Sequence, residues 1–414
     1  QAWRDDPQRP RLLHVVCIDA LPDPSPAPIL RGAAPWPALA PLAQALARQW
    51  VGVTPGIHRF AFEDSRVLLS LCVGDTREML REQAFTADSV FLDMADAVAD
   101  MPPLKAVARL CRRGTTLAAG PGSADAQALR SGLVSCGFVP RTDAAVSAPT
   151  DGDSGLHAVF DPAWTPRGPV ATAPHAPHAA RTPGRAAVIG GGLAGAAVAA
   201  SLERRGWQVQ VLDSADAPAA GASALPAGLL APHTSPDDNL LSRLSRAGVR
   251  MTLQQAHALL RAGVDWSPCG ALEQRLDDHR ALPALGGTGH DWQCDAASLP
   301  EPPAHAQPGA VWHALAAWVR PGALVHAWLA QPGITWRGGC PVAALRPAQG
   351  GWDLLDAAGH VLAHSDIAVV ATALDSAGLL ASAAAHLPPP TLNPVRGQVS
   401  WAPHAAGPPA LPPQ

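Results

Sequence analysis

Residues Arg185–Gly195 read Arg-Ala-Ala-Val-Ile-Gly-Gly-Gly-Leu-Ala-Gly, and no other stretch constrains the fold of this chain as tightly. Glycines at 190, 192 and 195 satisfy G-x-G-x-x-G, a pattern that means little without its context. Here an apolar run, Ala186–Ile189, precedes it as a buried strand would. A small-residue segment, Ala194–Arg205, follows as a helix and stops at Gly206, a residue suited to the position just past a helix end. A second apolar run, Gln208–Leu212, ends on Asp213, and 213 − 190 = 23 positions separate that acid from the first glycine. The spacing expected of a dinucleotide fold is about 20. The first glycine permits a tight turn, the second lets the backbone approach a diphosphate, and the third lets helix and strand pack closely. The amides and dipole at the helix start then face the anion. Gly190, Gly192, Gly195 and Asp213 are therefore candidate cofactor-binding residues. NAD and FAD share this element. The small, hydroxyl-bearing turn Gly221-Ala-Ser223 suits a loop that wraps an extended flavin dinucleotide, and Ile367–Ala371 looks like a strand returning to a flavin domain's sheet. Both favour FAD and add Gly221 and Ser223 to the set.

Around that anchor the chain of 414 residues has room for two or three domains. It is 48% hydrophobic and 15% charged, so it can bury real cores. Thirty basic against 34 acidic residues give a net charge of −4, so no global basic field would draw in a polyanion, and a nucleic-acid partner would need a local patch. The seven cysteines are scattered and contain no C-x-x-C, which argues against zinc and against a disulfide framework. A reduced, cytoplasmic setting follows. No apolar stretch approaches the roughly 18 residues of a membrane span. No metal site is expected; His175 and His178 have no cysteine or carboxylate cluster beside them.

Pro- and Ala-rich residues 143–184 read as an extended linker. Before it, strand runs (12–18, 66–73, 89–92, 115–119) alternate with helical ones (39–50, 104–111), which predicts a mostly parallel sheet. After it come the fingerprint, a long helix over 240–260 with Asp237 or Asp238 as cap, and a Trp-, Pro- and Gly-rich stretch over roughly 265–320. A helix starting on Pro321 and strands over 334–337 and 367–371 follow. Arg243, Arg246 and Arg250 share one helical face; they form either a phosphate-contacting stripe or, as the simpler reading, a solvated face.

At this point the residues resemble a known family. Gly206-Trp-Gln-Val, Ala217-Pro-Ala-Ala-Gly-Ala-Ser223, Asp238-Asn-Leu-Leu-Ser-Arg243, Trp318-Val-Arg-Pro321 and Arg396-Gly-Gln-Val-Ser400 are similar to the flavoprotein half of the MnmC family of bifunctional tRNA 5-methylaminomethyl-2-thiouridine biosynthesis proteins. Leu13-His14-Val-Val, Trp36-Pro-Ala-Leu-Ala-Pro41, Pro55-Gly-Ile-His58-Arg59, Gly74-Asp75 and Phe91-Leu-Asp93 fall in the order of its methyltransferase half. The resemblance implies an α/β chain. Residues 1–142 would be a partial, Rossmann-like S-adenosylmethionine-dependent methyltransferase and 143–184 a linker. Residues 185–414 would be a Rossmann-type FAD domain of the D-amino-acid-oxidase kind with an incomplete α+β substrate domain.

The implied function is modification of the tRNA wobble uridine. FAD-dependent oxidation removes the carboxymethyl group of 5-carboxymethylaminomethyl-(2-thio)uridine to leave an aminomethyl group, which S-adenosylmethionine then methylates. Asp93 aligns with the family's methyltransferase-site aspartate, while Arg320 and Arg396 are candidates to meet the substrate carboxylate. The departures are specific. The family's glycine-rich S-adenosylmethionine loop would lie before Gln1, its Gly-Phe-x-Pro, Asn-Pro and Trp are missing after Asp93, and the stretch that closes over the flavin would lie beyond Gln414. Both halves are therefore expected to be truncated, with the methyltransferase half inactive. The competing readings are a simple amino-acid or amine oxidase on the same scaffold, and a non-catalytic tRNA-binding fragment.

Overall fold

The fingerprint folds as its sequence demands. In a computed structural model of the chain, Arg185–Ile189 and Gln208–Leu212 are parallel strands joined through the helix Leu193–Arg204. The structure describes residues 2–20, 22–23, 25–93, 103–120, 126–141, 156–165, 182–275, 281–383, 391–395, 397 and 399. Ala186–Ile189 and Val209, Val211 and Leu212 are buried on both faces, as a central parallel sheet requires. Ile334–Arg337 pairs parallel with Gln208–Leu212, and Ile367–Val370 pairs parallel with Arg185–Ile189. The sheet order is thus 334–337, 208–212, 185–189, 367–370. Strand order reverses beside the strand that opens the glycine turn, so the turn lies at a topological switch point, where open α/β sheets bind their ligands. The connection between the last two of these strands in sequence is an antiparallel meander of Ala344–Ala348, Gly351–Leu355 and Val361–Ser365.

The helix Leu193–Arg204 owes its packing to small side chains. Ala196, Ala199 and Ala200 are fully buried, and Ala196 and Ala200 share a core with Trp266, Leu324, Val325 and Trp328. The helix Pro321–Leu329 begins on proline, which fits the first turn because its missing N–H would have found no helical partner there. Two three-stranded antiparallel sheets complete this region. One orders Gly228–Leu230, Ala317–Val319 and Trp266–Pro268; the other orders Ala271–Glu273, Val311–His313 and Cys294–Asp295.

By contacts the described chain divides into two compact units. One holds residues 1–16, 23–71 and 181–414, the other 17–22 and 72–180. This cut differs from the sequence division at 143–184, and its cause is visible in the first unit. Trp292 Nε1 donates to Gly52 O at 2.7 Å, Gly52 N–H donates to Asp291 Oδ2 at 2.8 Å, and Val53 N–H donates to Thr288 Oγ1 at 2.7 Å. Those bonds gather residues 49–54 to a segment more than two hundred positions later.

In the second unit Ala87–Leu92 and Cys111–Ala119 are parallel, while Leu156–Phe160 runs antiparallel to both Cys111–Ala119 and Phe138–Arg141. The sheet is mixed, where a mostly parallel one was expected. The strand Leu156–Phe160 also falls inside the 143–184 stretch read as linker, which is a correction. Ala158 and Phe160 are buried in the core with Leu117, Leu133 and Phe138, so an alternating apolar pattern was hidden among proline and alanine. His175, His178 and most of the rest of that stretch lie outside the described residues. No described helix is long and apolar enough to cross a membrane.

Candidate functional site

The glycine turn is shaped by close backbone approach. Gly190 has φ +110°, and a Cβ there would strike the carbonyl of Ala371, at the end of the neighbouring strand. A Cβ at Gly195 would land on the carbonyl oxygen of Gly190, 3.0 Å from its carbon and 3.3 Å from Val188 Cγ1. The helix therefore sits on the turn at a distance that only glycine allows. At Gly192 a Cβ would meet Ser223 Oγ at 3.0 Å. Ala196 N–H donates to Gly192 O at 2.9 Å, the first bond of the helix. The N–H groups of Gly192, Leu193, Ala194 and Gly195 thus precede any helical acceptor.

Two side chains enter this turn. Asp213 Oδ2 accepts from Gly191 N–H at 2.6 Å and Oδ1 accepts from Ala215 N–H at 2.8 Å, so the carboxylate lies within the turn, at the end of its strand. Ser223 Oγ accepts from Leu193 N–H at 3.1 Å and acts as a cap supplied from another segment. Its hydroxyl thus occupies one of the helix-start amides. Gly221 has φ +65° and open space where a side chain would be, which places it on an unobstructed rim.

Residues that sequence reasoning passed over complete the surroundings. The benzo edge of Trp336 packs against Gly191, where any Cβ would collide with it, and Trp336 Nε1 donates to Asp216 O at 3.4 Å. The signal was the second residue of the motif: an x position in G-x-G-x-x-G needs no glycine, and this chain has one. Further off, His313 is 2% exposed. Its Nδ1 lies 2.9 Å from Trp292 O and its Nε2 2.9 Å from Glu273 Oε2. The ring is thus held between a backbone carbonyl and a carboxylate, and the Nε2 side pairs with Glu273. That bond, before the desolvation that opposes it, holds the Glu273 carboxyl below its ordinary range.

The remaining predicted residues are dispersed. Arg320 precedes the helix Pro321–Leu329; its guanidinium is exposed and 3.7 Å from Asp265 Oδ1, while its N–H donates to Asp265 O at 2.8 Å. Asp265 also accepts from Arg261 N–H at 3.2 Å, the chief cause of its lowered pKa. Arg320 thus has one charge partner before any substrate arrives. Asp93 follows the strand Ala87–Leu92, beside the end of its parallel neighbour, where Gly120 N–H donates to Leu92 O at 3.0 Å. Arg396 lies outside the described residues.

The arginine stripe on the long helix is a correction. Arg246 and Arg250 are buried, at 8% and 5% exposure, so they are neither a solvated face nor free for phosphates. Arg246 makes a two-pronged contact with Asp238, at 2.7 and 2.9 Å. Arg250 donates to the carbonyls of Gln49, Val51 and Gly52 at 3.0, 2.6 and 3.0 Å. It also packs against the rings of Phe60 and Trp292, and burial pulls its pKa down to about 10. The helix spans Leu240–Leu259 and its cap is Asn239, whose Oδ1 accepts from Ser242 N–H at 3.1 Å; Asp238 is engaged by Arg246 instead.

Comparison with known proteins gives this geometry a context. The FAD dependent oxidoreductase family matches residues 185–413, and an S-adenosyl-L-methionine-dependent methyltransferase family matches residues 37–147. The chain is 48% identical over 424 residues to the tRNA 5-methylaminomethyl-2-thiouridine biosynthesis bifunctional protein MnmC of Polaromonas sp. (strain JS666 / ATCC BAA-500), covering 98% of this chain and 65% of that protein. It is 49% identical over 438 residues to the protein of the same name from Verminephrobacter eiseniae (strain EF01-2), covering 99% of this chain and 67% of that one. The chain thus spans about two thirds of the length of these relatives. Against the glycine oxidase of Geobacillus kaustophilus it gives a TM-score of 0.36 at 20% identity, over 48% of this chain and 58% of that one.

Proposed function

Because the chain belongs to the FAD dependent oxidoreductase family and is a homologue of the bifunctional MnmC proteins, we propose that it acts in the cytoplasm in modifying the wobble uridine of tRNA. Its reaction is oxidative removal of the carboxymethyl group from 5-carboxymethylaminomethyl-(2-thio)uridine, which leaves the aminomethyl form. In the whole protein, methylation by S-adenosylmethionine follows at the methyltransferase half, where Asp93 faces the amine.

The observation that carries the reading is the turn itself. It sits at the switch point of a four-stranded parallel sheet, excludes side chains at Gly190 and Gly195 and leaves little room for one at Gly192, with Asp213 inside it. These residues fit the group. The helix-start amides left after Ser223 has capped Leu193 offer donors to a diphosphate. Each Asp213 oxygen keeps a lone pair beyond the backbone bond it accepts, for ribose hydroxyls. FAD supplies the acceptance of a hydride from the carbon beside the amine nitrogen. The chain's own part is to hold and orient. Arg320 and Arg396 are the candidates for the substrate carboxylate, and Arg320 would exchange its contact with Asp265 for it.

The test is optical. The purified chain should be yellow and release FAD on denaturation, and tRNA bearing the carboxymethylaminomethyl group should bleach the bound flavin under anaerobic conditions. Bleaching by free glycine derivatives, without response to that tRNA, would replace this function with that of a simple amino-acid oxidase. A colourless chain that retains tRNA would mark a non-catalytic binding module.

A further inference from the structure

The second glycine of the triplet has no task in the dinucleotide motif, and what it makes room for points to a role of its own. Trp336 stands opposite Val211 in the parallel pair of strands 334–337 and 208–212. Its ring reaches past the end of the sheet to Gly191, close enough that a methyl at that glycine would overlap Cζ3 and Cη2. The same methyl would lie 3.3 Å from Asp213 Oδ2. An aromatic edge and a carboxylate therefore flank a single peptide, and that carboxylate holds the Gly191 N–H at 2.6 Å. The indole N–H is turned away, to Asp216 O at 3.4 Å, so the six-membered ring is the part presented beside the turn. Trp336 remains only partly buried.

We infer that Trp336 is a positioning residue for the adenosine end of the cofactor: its ring is the surface on which the purine stacks while Asp213 takes the ribose hydroxyls. The inference rests on the FAD reading above. The chemistry of the pair is what selects the ligand. A carboxylate with free lone pairs accepts from vicinal hydroxyls and repels phosphate, so it belongs beside a sugar. A partly exposed indole a few ångströms away from a sugar site offers a base a stacking partner, and stacking is indifferent to the base's hydrogen-bonding edge. The diphosphate then falls on the other side of Asp213, toward the amides that start the helix 193–204. Gly191 is glycine because the ring must come this close.

ADP is the probe, since it carries the adenosine and diphosphate and needs nothing from the flavin ring. Wild-type chain should bind ADP by calorimetry. Trp336→Leu should fill the space over Gly191, melt at the wild-type temperature and yet weaken ADP about tenfold, the loss expected for one base–aromatic stack. Trp336→Phe should keep most of the affinity, and inorganic pyrophosphate should bind all three alike. If Trp336→Leu does not fold, tryptophan fluorescence decides. ADP should quench wild-type emission by an increment that Trp336→Phe lacks. Equal ADP affinity in wild type and Trp336→Leu, or equal quenching in wild type and Trp336→Phe, overturns the role of Trp336 and leaves the FAD reading intact. A wild-type chain that binds neither FAD nor ADP overturns both.

Discussion

Gly195 and Gly248 are both helical glycines, and replacing each by alanine should move stability in opposite directions. Gly248 lies on an exposed face of the helix Leu240–Leu259, with ordinary φ and nothing within 4 Å of a new Cβ. Alanine there should stabilise by about 0.5–1 kcal/mol, through reduced freedom of the unfolded chain. At Gly195 the same gain in helix propensity is available. The methyl, however, lands on the Gly190 carbonyl oxygen, with that carbon at 3.0 Å and Val188 Cγ1 at 3.3 Å. Restoring an ordinary contact of roughly 3.5 Å with that oxygen requires the helix start to retreat by about 1.5–2 Å. Both Gly190 and Val188 lie in the buried sheet and its turn and cannot yield instead. Overpacking of this kind costs about 1–3 kcal/mol, occasionally more, so the net loss should be about 1–2 kcal/mol. The functional effect should exceed the thermal one. Retreat of the helix start carries the amides of Ala194 and Gly195 away from the diphosphate, and the chain should lose most of its FAD while still folded. Thermal melts of the apoproteins and flavin content after gel filtration read both effects. Gly195→Ala as stable as Gly248→Ala, or still fully yellow, would refute the claim that backbone approach fixes this glycine.

Two further outcomes follow from buried groups. Arg250→Met should lower stability by about 2–5 kcal/mol in denaturant titrations, because three carbonyls of residues 49–52 lose a charged donor while the removed guanidinium refunds part of its desolvation; Arg243→Met, at an exposed side chain, should change it by less than about 0.5 kcal/mol. His58 is buried and its pKa is lowered to about 4, chiefly by desolvation, with Nε2 2.6 Å from Thr54 O. The unfolded chain therefore binds a proton in the window from pH 6.5 down to about 4 that the folded chain refuses, so this group makes stability fall as pH falls through that window. The loss between pH 7 and pH 4.5 should be about 2 kcal/mol larger in wild type than in His58→Gln; equal pH dependence of the two proteins would contradict a neutral buried His58.

How much of this was legible in the sequence depended on the distance over which each feature is decided. The turn at Gly190–Gly195, its strands and helix, and Asp213 were readable because backbone geometry within about 25 residues dictates them. The returning strand Ile367–Val370 was readable because it is an uninterrupted apolar run; it pairs at the edge of the sheet and is partly buried along its whole length. Features decided by distant partners were not. The spacing of Arg243, Arg246 and Arg250 correctly implied a shared face, yet periodicity cannot say whether that face meets water or the carbonyls of residues 49–52, some two hundred positions earlier. Charge suggested the wrong answer, because three backbone carbonyls satisfy a buried guanidinium as well as solvent does. Composition misled in the same way at Leu156–Phe160, where a strand's alternation was outweighed by the prolines and alanines around it.

Gly191 shows that part of a long-range arrangement can leave a local trace. Motif matching assigned tasks to Gly190, Gly192 and Gly195 and skipped the residue between the first two, since that position tolerates side chains in a dinucleotide turn. A glycine where none is demanded is a cost in unfolded-state entropy of roughly 0.5–1 kcal/mol relative to alanine, and such a cost persists where something else requires the space. The structure supplies the cause in Trp336, 336 − 191 = 145 positions away, whose ring fills the volume a methyl would take. The sequence carried one half of that contact openly, but nothing in the local pattern of Ile334–Arg337 distinguished its tryptophan from the twelve others in the chain. Unexplained glycines beside a motif are therefore places to look for an incoming side chain, and here that side chain stands next to the carboxylate proposed to hold the ribose.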